Sequence, residues 1–253
     1  MSTHRNAEPV AVVTGVTGGI GGAVMNRLAA EDWRIVTVDI QREGLAKLSA
    51  EWPERVLDRV ADVRDQDAVT GAVALAEAEF GGLDAAVGCA AVMAGGTPLW
   101  QTTDTGWDAL FDNGVRGIFH LARAAVPALL RRPEPRSGRF VALASAAAHR
   151  GLWYLAGYNA AKHAVVGLIR GLATDLRSTG VTEAAVSPGS PRAAMLDATA
   201  DLYGLADVEE FAQRQLVERL LEPEEVAAVC WLCGEQASAI TGTVVPADGG
   251  FIS

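Results

Sequence analysis

From Val10 to Thr14 the chain reads VAVVT, a short apolar run that breaks at glycine and gives way to a helical pattern over about 19–31. A continuous apolar run with no polar alternation predicts a strand covered on both faces, as in a parallel sheet. The unit recurs: RIVTVD at 34–39, VLDRVADV near 56–63, LDAAVGCA at 83–90, RFVALAS at 139–145, VTEAAVSPG at 181–189 and a closing TGTVVPADGG all have strand character. Helical stretches separate them, near 68–80, 104–131, 155–178, 205–221 and 223–233. Alternation from end to end predicts an α/β fold, one doubly wound domain with a mostly or fully parallel central sheet and helices on both faces. No linker or repeat divides 9–253, and the polar residues 1–8 are expected to form a flexible tail.

Composition narrows the function. A chain of 253 residues that is 50% hydrophobic can bury a large core, while a net charge of −10 opposes any broad phosphate-neutralising surface. Nucleic acid and anionic membranes are therefore not expected partners. No apolar run approaches the ~18 residues of a membrane span, and MSTHRNAEP lacks the apolar stretch of a signal peptide, so a cytoplasmic location is expected. Three cysteines make no disulfide framework; Cys230 and Cys233, inside VAAVCWLCG, read as reduced core thiols rather than a redox or metal pair. No metal site is expected. The stretch RRPEPRSGR at 131–139 reads as a solvated connection rather than an anion site.

The 27 glycines are not spread as a linker would spread them. TGVTGGIG, Thr14 to Gly21, places Gly15, Gly19 and Gly21 where a chain must turn off a strand, approach a pyrophosphate and open a helix whose amides favour negative charge. In a Rossmann-type fold an acidic residue at the end of the second strand accepts the ribose hydroxyls. Asp39 stands there, favouring NAD; Arg42 nearby keeps NADP as the less favoured alternative. Asp62-Val63 closes the third predicted strand, where Asp62 could accept the adenine amino group or cap the next helix.

Tyr158 and Lys162 stand four apart in YNAAK, on one face of a predicted helix. A neighbouring ammonium favours phenolate, bringing the tyrosine from ~10 toward working pH as a general acid or base. Ser145 ends the preceding strand, where an open α/β sheet places its ligands.

With these motifs in order, from TGVTGGIG through Asp39, Asp62-Val63, Ser145, Tyr158-x-x-x-Lys162 and Pro188-Gly189 to DGG at 248–250, the chain resembles the short-chain dehydrogenase/reductase family over roughly Pro9 to Gly250. The resemblance implies Tyr158 as proton-transferring residue, Lys162 holding the ribose and tuning the tyrosine, and Ser145 orienting a carbonyl or alcohol. It implies a nicotinamide cofactor against Gly15, Thr17, Gly19, Ile20, Gly21, Asp39, Asp62, Val63, Cys89, Ala90, Pro188, Gly189 and Pro191, and a homodimer or homotetramer. WDALFDNGVRG, RPEPRSGRFVALASAAAHRGL and LYGLADVEEFA resemble an actinobacterial subgroup associated with the redox cofactor mycofactocin.

Three places depart from the family. Its Asn-Asn-Ala-Gly reads Gly88-Cys89-Ala90-Ala91, and a positive φ at Ala91 would cost ~1 kcal/mol. Its helix asparagine aligns with Gly114, which keeps the backbone carbonyl of a proton relay; Asn113 is ~100° away on a regular helix and is not expected to substitute. Its threonine after Pro-Gly aligns with Ala193. Substrate is expected against Met93, His149, Trp153, Met195 and Tyr203, with Tyr154 beside them. His149 is either a polar contact or a rim residue, and Trp153 a pocket wall. Residues 192–221 are expected to be a mobile lid. The expected activity is NAD-dependent interconversion of a secondary alcohol and a ketone on a hydrophobic small molecule. The alternative is a repurposed enzyme of secondary metabolism performing non-redox cyclisation, elimination or isomerisation.

Overall fold

The computed structural model describes residues 8–251. Seven strands form one parallel sheet: β1 (Val10–Thr14), β2 (Arg34–Asp39), β3 (Val56–Val60), β4 (Ala85–Gly88), β5 (Arg139–Leu143), β6 (Thr182–Pro188) and β7 (Thr243–Ala247), in the order β3-β2-β1-β4-β5-β6-β7. The order reverses beside β1, which pairs Val12 with Val36 of β2 and with Ala86 of β4. That reversal opens a crevice beyond the carboxyl ends of β1 and β4.

The apolar runs of β1, β2, β4, β5 and β6 have the predicted cause, cover on both faces, while the edge strands β3 and β7 are partly exposed. Val10 and Val12 pack into a layer with α3 (Gln66–Phe80), α5 (Gly117–Leu130) and α6 (Ala156–Asp175). Ala11 and Val13 face the opposite layer with α1 (Gly19–Ala30), α2 (Arg42–Glu51) and the segment containing Cys230 and Cys233. Both cysteines are buried free thiols, and burial pushes the Cys230 thiol up to about 12.

Several expected boundaries are corrected. The helix expected over 104–131 is α4 (Asp104–Leu110), a π-helical turn at Phe111–Arg116, and α5. No helix runs over 205–221. Instead α7 (Ala194–Tyr203) ends at left-handed Gly204, and a 3-10 turn follows at Val208–Arg214. The expected 223–233 helix is α8 (Pro223–Ala227) continued as 3-10 turns to Cys233. β3 stops before Asp62, and the cap of α3 is Asp65, whose carboxylate accepts from the amides of Asp67 and Ala68. Asp62 is therefore not the helix cap.

The tail expected over 1–8 lies outside the described residues except for Glu8, which bonds Arg34 and Arg55; the Arg34 guanidinium holds its carboxyl below the usual range. The 131–139 connection is more built-in than expected. Arg132 pairs with the buried Asp84, and Arg139 is itself buried, donating to the carbonyls of Gly234 and Gly138. Among the described residues no helix is long and apolar enough to cross a membrane.

Candidate functional site

The crevice is a cleft of about 360 Å³. Its floor is the β1–α1 turn, where Gly15 takes φ +73° and donates to Val38 O. A Cβ on Gly15 would lie 2.5 Å from Ala90 N, and one on Gly21 would overlap Gly15 O, so the turn is compressed against the β4 loop in a way only glycine permits. Thr17, Gly19 and Ile20 line the same floor, beside the start of α1. Asp39 is buried at the end of β2; its Oδ2 accepts from Thr17 N and its Oδ1 from Gln41 N, both at 3.0 Å. Each oxygen keeps a further lone pair for a hydroxyl donor. Arg42 is exposed at the start of α2 and does not line the cleft. Asp62 and Val63 do line it, but both Asp62 oxygens are engaged by Arg64, whose guanidinium lowers the carboxyl's pKa.

At the other end Tyr158 reaches the cleft from α6, 6% exposed. One turn on, Lys162 is buried and donates from Nζ to Leu143 O at 2.9 Å. Its Nζ lies 5.7 Å from the centroid of the Tyr158 ring, over the face of the ring. Burial pulls Lys162 down to about 8. Burial also raises the Tyr158 pKa, with the Ser145 hydroxyl pulling the other way. Burial is the largest influence on Tyr158, and the group opposing it is the Ser145 hydroxyl rather than the Lys162 ammonium expected to lower it. Ser145 caps a 3-10 turn, its Oγ accepting from Ala147 N at 3.1 Å.

Cys89, Ala90, Met93, Gly189, Pro191 and Met195 also line the cleft; Pro188, Ser145, Lys162 and Gly114 are not among its lining residues, though Ser145 is within hydrogen-bond reach of Tyr158. His149 is exposed and outside the lining. Trp153 is 65% exposed and forms no pocket wall: it stacks on Tyr154 instead. Tyr203 also lies outside the lining, donating to Trp153 O at 2.6 Å. In the loop before α6, Tyr154 takes φ +55°.

Two of the three departures have local explanations. A Cβ on Gly88 would overlap Ile118 Cδ1, so the isoleucine occupies the space of an amide side chain. Ala91 has no positive φ, so the expected strain is not incurred. Gly114 is buried in the π-turn, where Gly117 N donates to Asp112 O, and apart from its chain neighbours and the backbone of its own helix nothing lies within 4 Å of where its Cβ would stand. Asn113 lines the cleft, its Nδ2 held by Ala109 O at 2.8 Å. Spacing on a regular α-helix did not anticipate that position, because the π-turn changes the rotation along the helix. Leu196 and Thr199 also line the cleft, and a helical period counted forward from Met195 would have found Thr199.

A doubly wound sheet with its cleft at the strand-order reversal, and a Tyr-Lys pair one helical turn apart beside it, defines the class of an α/β enzyme. The family described as enoyl-(acyl carrier protein) reductase matches residues 15–252, and the chain belongs to the short-chain dehydrogenase/reductase family of oxidoreductases. It is 36% identical over 251 residues to the A-factor type gamma-butyrolactone 1'-reductase (1S-forming) of Streptomyces virginiae, covering 96% of this chain and 95% of that protein. Its fold matches an actinorhodin polyketide ketoreductase variant with NADPH at a TM-score of 0.90, 30% identity, 97% of this chain and 98% of the other. It also matches a 3-ketoacyl-(acyl-carrier-protein) reductase from Brucella melitensis complexed with NADH, at 0.89 and 27% identity, covering 98% and 99%.

Proposed function

We propose that this oxidoreductase uses NAD to interconvert a secondary alcohol and a ketone on a hydrophobic small molecule, with Tyr158 as general acid and base. The observation that carries it is the buried hydroxyl of Tyr158 at the cleft, backed by Ser145 and Lys162. The cleft fits a dinucleotide: Gly15 and Gly21 let the turn pack backbone against backbone at the start of α1, and the buried Asp39 carboxylate holds acceptor capacity at the far end. Gly15, Gly19, Gly21 and Asp39 would hold the pyrophosphate and ribose. The Asp39 charge disfavours a 2′-phosphate, and Arg42 points no guanidinium into the lining to offset it. A structural relative binds NADPH and another NADH, so the preference for NAD rests on Asp39.

When bound, the nicotinamide cofactor supplies or accepts the hydride. The rest falls to the chain. Ser145 orients the substrate oxygen, Tyr158 gives a proton to the ketone oxygen or takes one from the alcohol, and Lys162 offsets phenolate charge as it forms. Met93, Met195 and Leu196 give the substrate end an apolar, adaptable wall. Gly114 has room for a relay water beside it, and its carbonyl belongs to an already distorted helix. A homodimer or homotetramer, a cytoplasmic location and a place in secondary metabolism accompany the proposal.

A non-redox reaction is favoured by one observation, the missing amide and hydroxyl at Gly88, Cys89 and Ala193. Absorbance near ~340 nm during turnover of apolar cyclic and open-chain ketones separates the two. Consumption of reduced cofactor matching product supports hydride transfer; product formation with the cofactor's redox state unchanged supports the alternative.

A further inference from the structure

We propose that Tyr203 is a positioning residue: through the length of α7 it seats Met195 against the Tyr158 hydroxyl and so governs when substrate reaches that hydroxyl. The proposal rests on the role given above to Tyr158.

α7 is gripped at its two ends by the segment that carries Tyr158. At its N-terminal end Met195 Sδ lies 4.0 Å from the Tyr158 hydroxyl, which donates to it. At its C-terminal end the Tyr203 hydroxyl donates to Trp153 O at 2.6 Å, in the loop leading into α6. The helix ends there, because Gly204 takes the left-handed conformation directly after Tyr203. A helix this short moves as one rigid body, so a bond at one end sets the position of the other.

The receiving surface for Tyr203 is built in. Tyr154 holds φ +55°, which a tyrosine rarely adopts, stacks on Trp153 with ring centroids 3.6 Å apart, and accepts from Gly96 N at 2.9 Å. Gly96 in turn packs on the end of α7, where a Cβ would meet Leu202 O at 3.1 Å. The Arg214 guanidinium covers the Tyr203 ring at 5.9 Å. At the N-terminal end, Arg192 just before the helix is held by Leu221 O and by ion pairs with Glu209 and Glu222, while the grip of Met195 on Tyr158 is a weak sulfur contact. A substrate oxygen that bonds Tyr158 must displace Met195 from it, and the Tyr203 bond sets how readily α7 gives.

The test uses the whole protein. In ligand-free protein treated with dilute hydrogen peroxide, Met195 sulfoxidation is followed by peptide mass spectrometry. Tyr203→Phe is expected to speed it about three- to ten-fold, the population shift set by one hydrogen bond, while the fully buried Met25 stays protected. Unchanged Met195 oxidation overturns the proposal, as does a parallel rise at Met25, which would mean general unfolding. This arm needs no turnover, so it stands even if the proposed reaction fails. In the kinetic arm, Tyr203→Phe shifts the ketone KM by a similar factor and leaves the NAD Kd unchanged. The same substitution in a Met195→Leu background shifts KM far less, because the two act through one helix. Additive effects in that cycle overturn the proposal.

Discussion

Lys162 donates to Leu143 O and presents its ammonium to the ring face of Tyr158, 5.7 Å from the centroid, rather than to the hydroxyl. Two consequences follow from its burial. Folding lowers its pKa from 10.5 to about 8, so between those values the unfolded chain binds more protons than the folded one and stability rises with pH. The destabilisation is fully present below about 8 and relieved as pH climbs toward 10.5. Lys162→Met is therefore expected to melt no lower than the parent at pH 7 and to lose that advantage by pH 10. In the parent, kcat/KM should fall as pH rises through about 8, where the free enzyme loses the ammonium. Thermal melts and a pH-rate profile check both.

Gly88 and Ile118 share one space, so restoring the family's asparagine should harm the fold before it helps the site. Gly88→Asn is expected to cost ~1–3 kcal/mol by overpacking. Adding Ile118→Ala should return part of that loss, whereas additivity in denaturant melts would show that the two do not compete for volume.

Ala193 stands at the N-cap of α7 with extended backbone and no capping side chain, and it lines the cleft. Ala193→Thr should add ~1 kcal/mol of stability through the cap and tighten NAD binding several-fold through a new hydroxyl. Calorimetric melting and titration with NAD read the two effects separately.

Glu183 is buried in β6 with Thr241 as the partner of one oxygen, while the other has none. Burial raises its pKa. Stability from a raised carboxyl pKa is present below the unfolded value of ~4.3 and lost as pH rises through the folded value. Glu183→Gln should therefore raise Tm at pH 7 and leave it nearly unchanged at pH 4. An equal shift at both would contradict burial of the charge as the cause.

What could be read from residues alone divides along physical lines. The strands were legible because burial on both faces forces apolar runs such as VAVVT and RIVTVD. The glycine turn, Asp39 and the Tyr158-Lys162 pair were legible because backbone sterics and helical spacing act over a few residues. Asp62 was misassigned as a possible cap because Asp65, three residues on, competes for the same role and wins. Asn113 was missed because a π-turn has no clear local signature, and α7 because its polar and apolar residues mix without a strong stripe. Trp153 depended on the path of the loop before α6, where Tyr154 takes φ +55° and accepts from the distant Gly96 N.

The account turns on the hydroxyl of Tyr158. The most direct measurement compares the parent with Tyr158→Phe, reading NAD affinity by titration and ketone turnover through reduced-cofactor absorbance. NAD affinity should hold within a factor of about three while kcat falls at least ~100-fold, the contribution of a positioned general acid. Turnover retained at the parent rate would contradict proton transfer by Tyr158 and with it the assigned site.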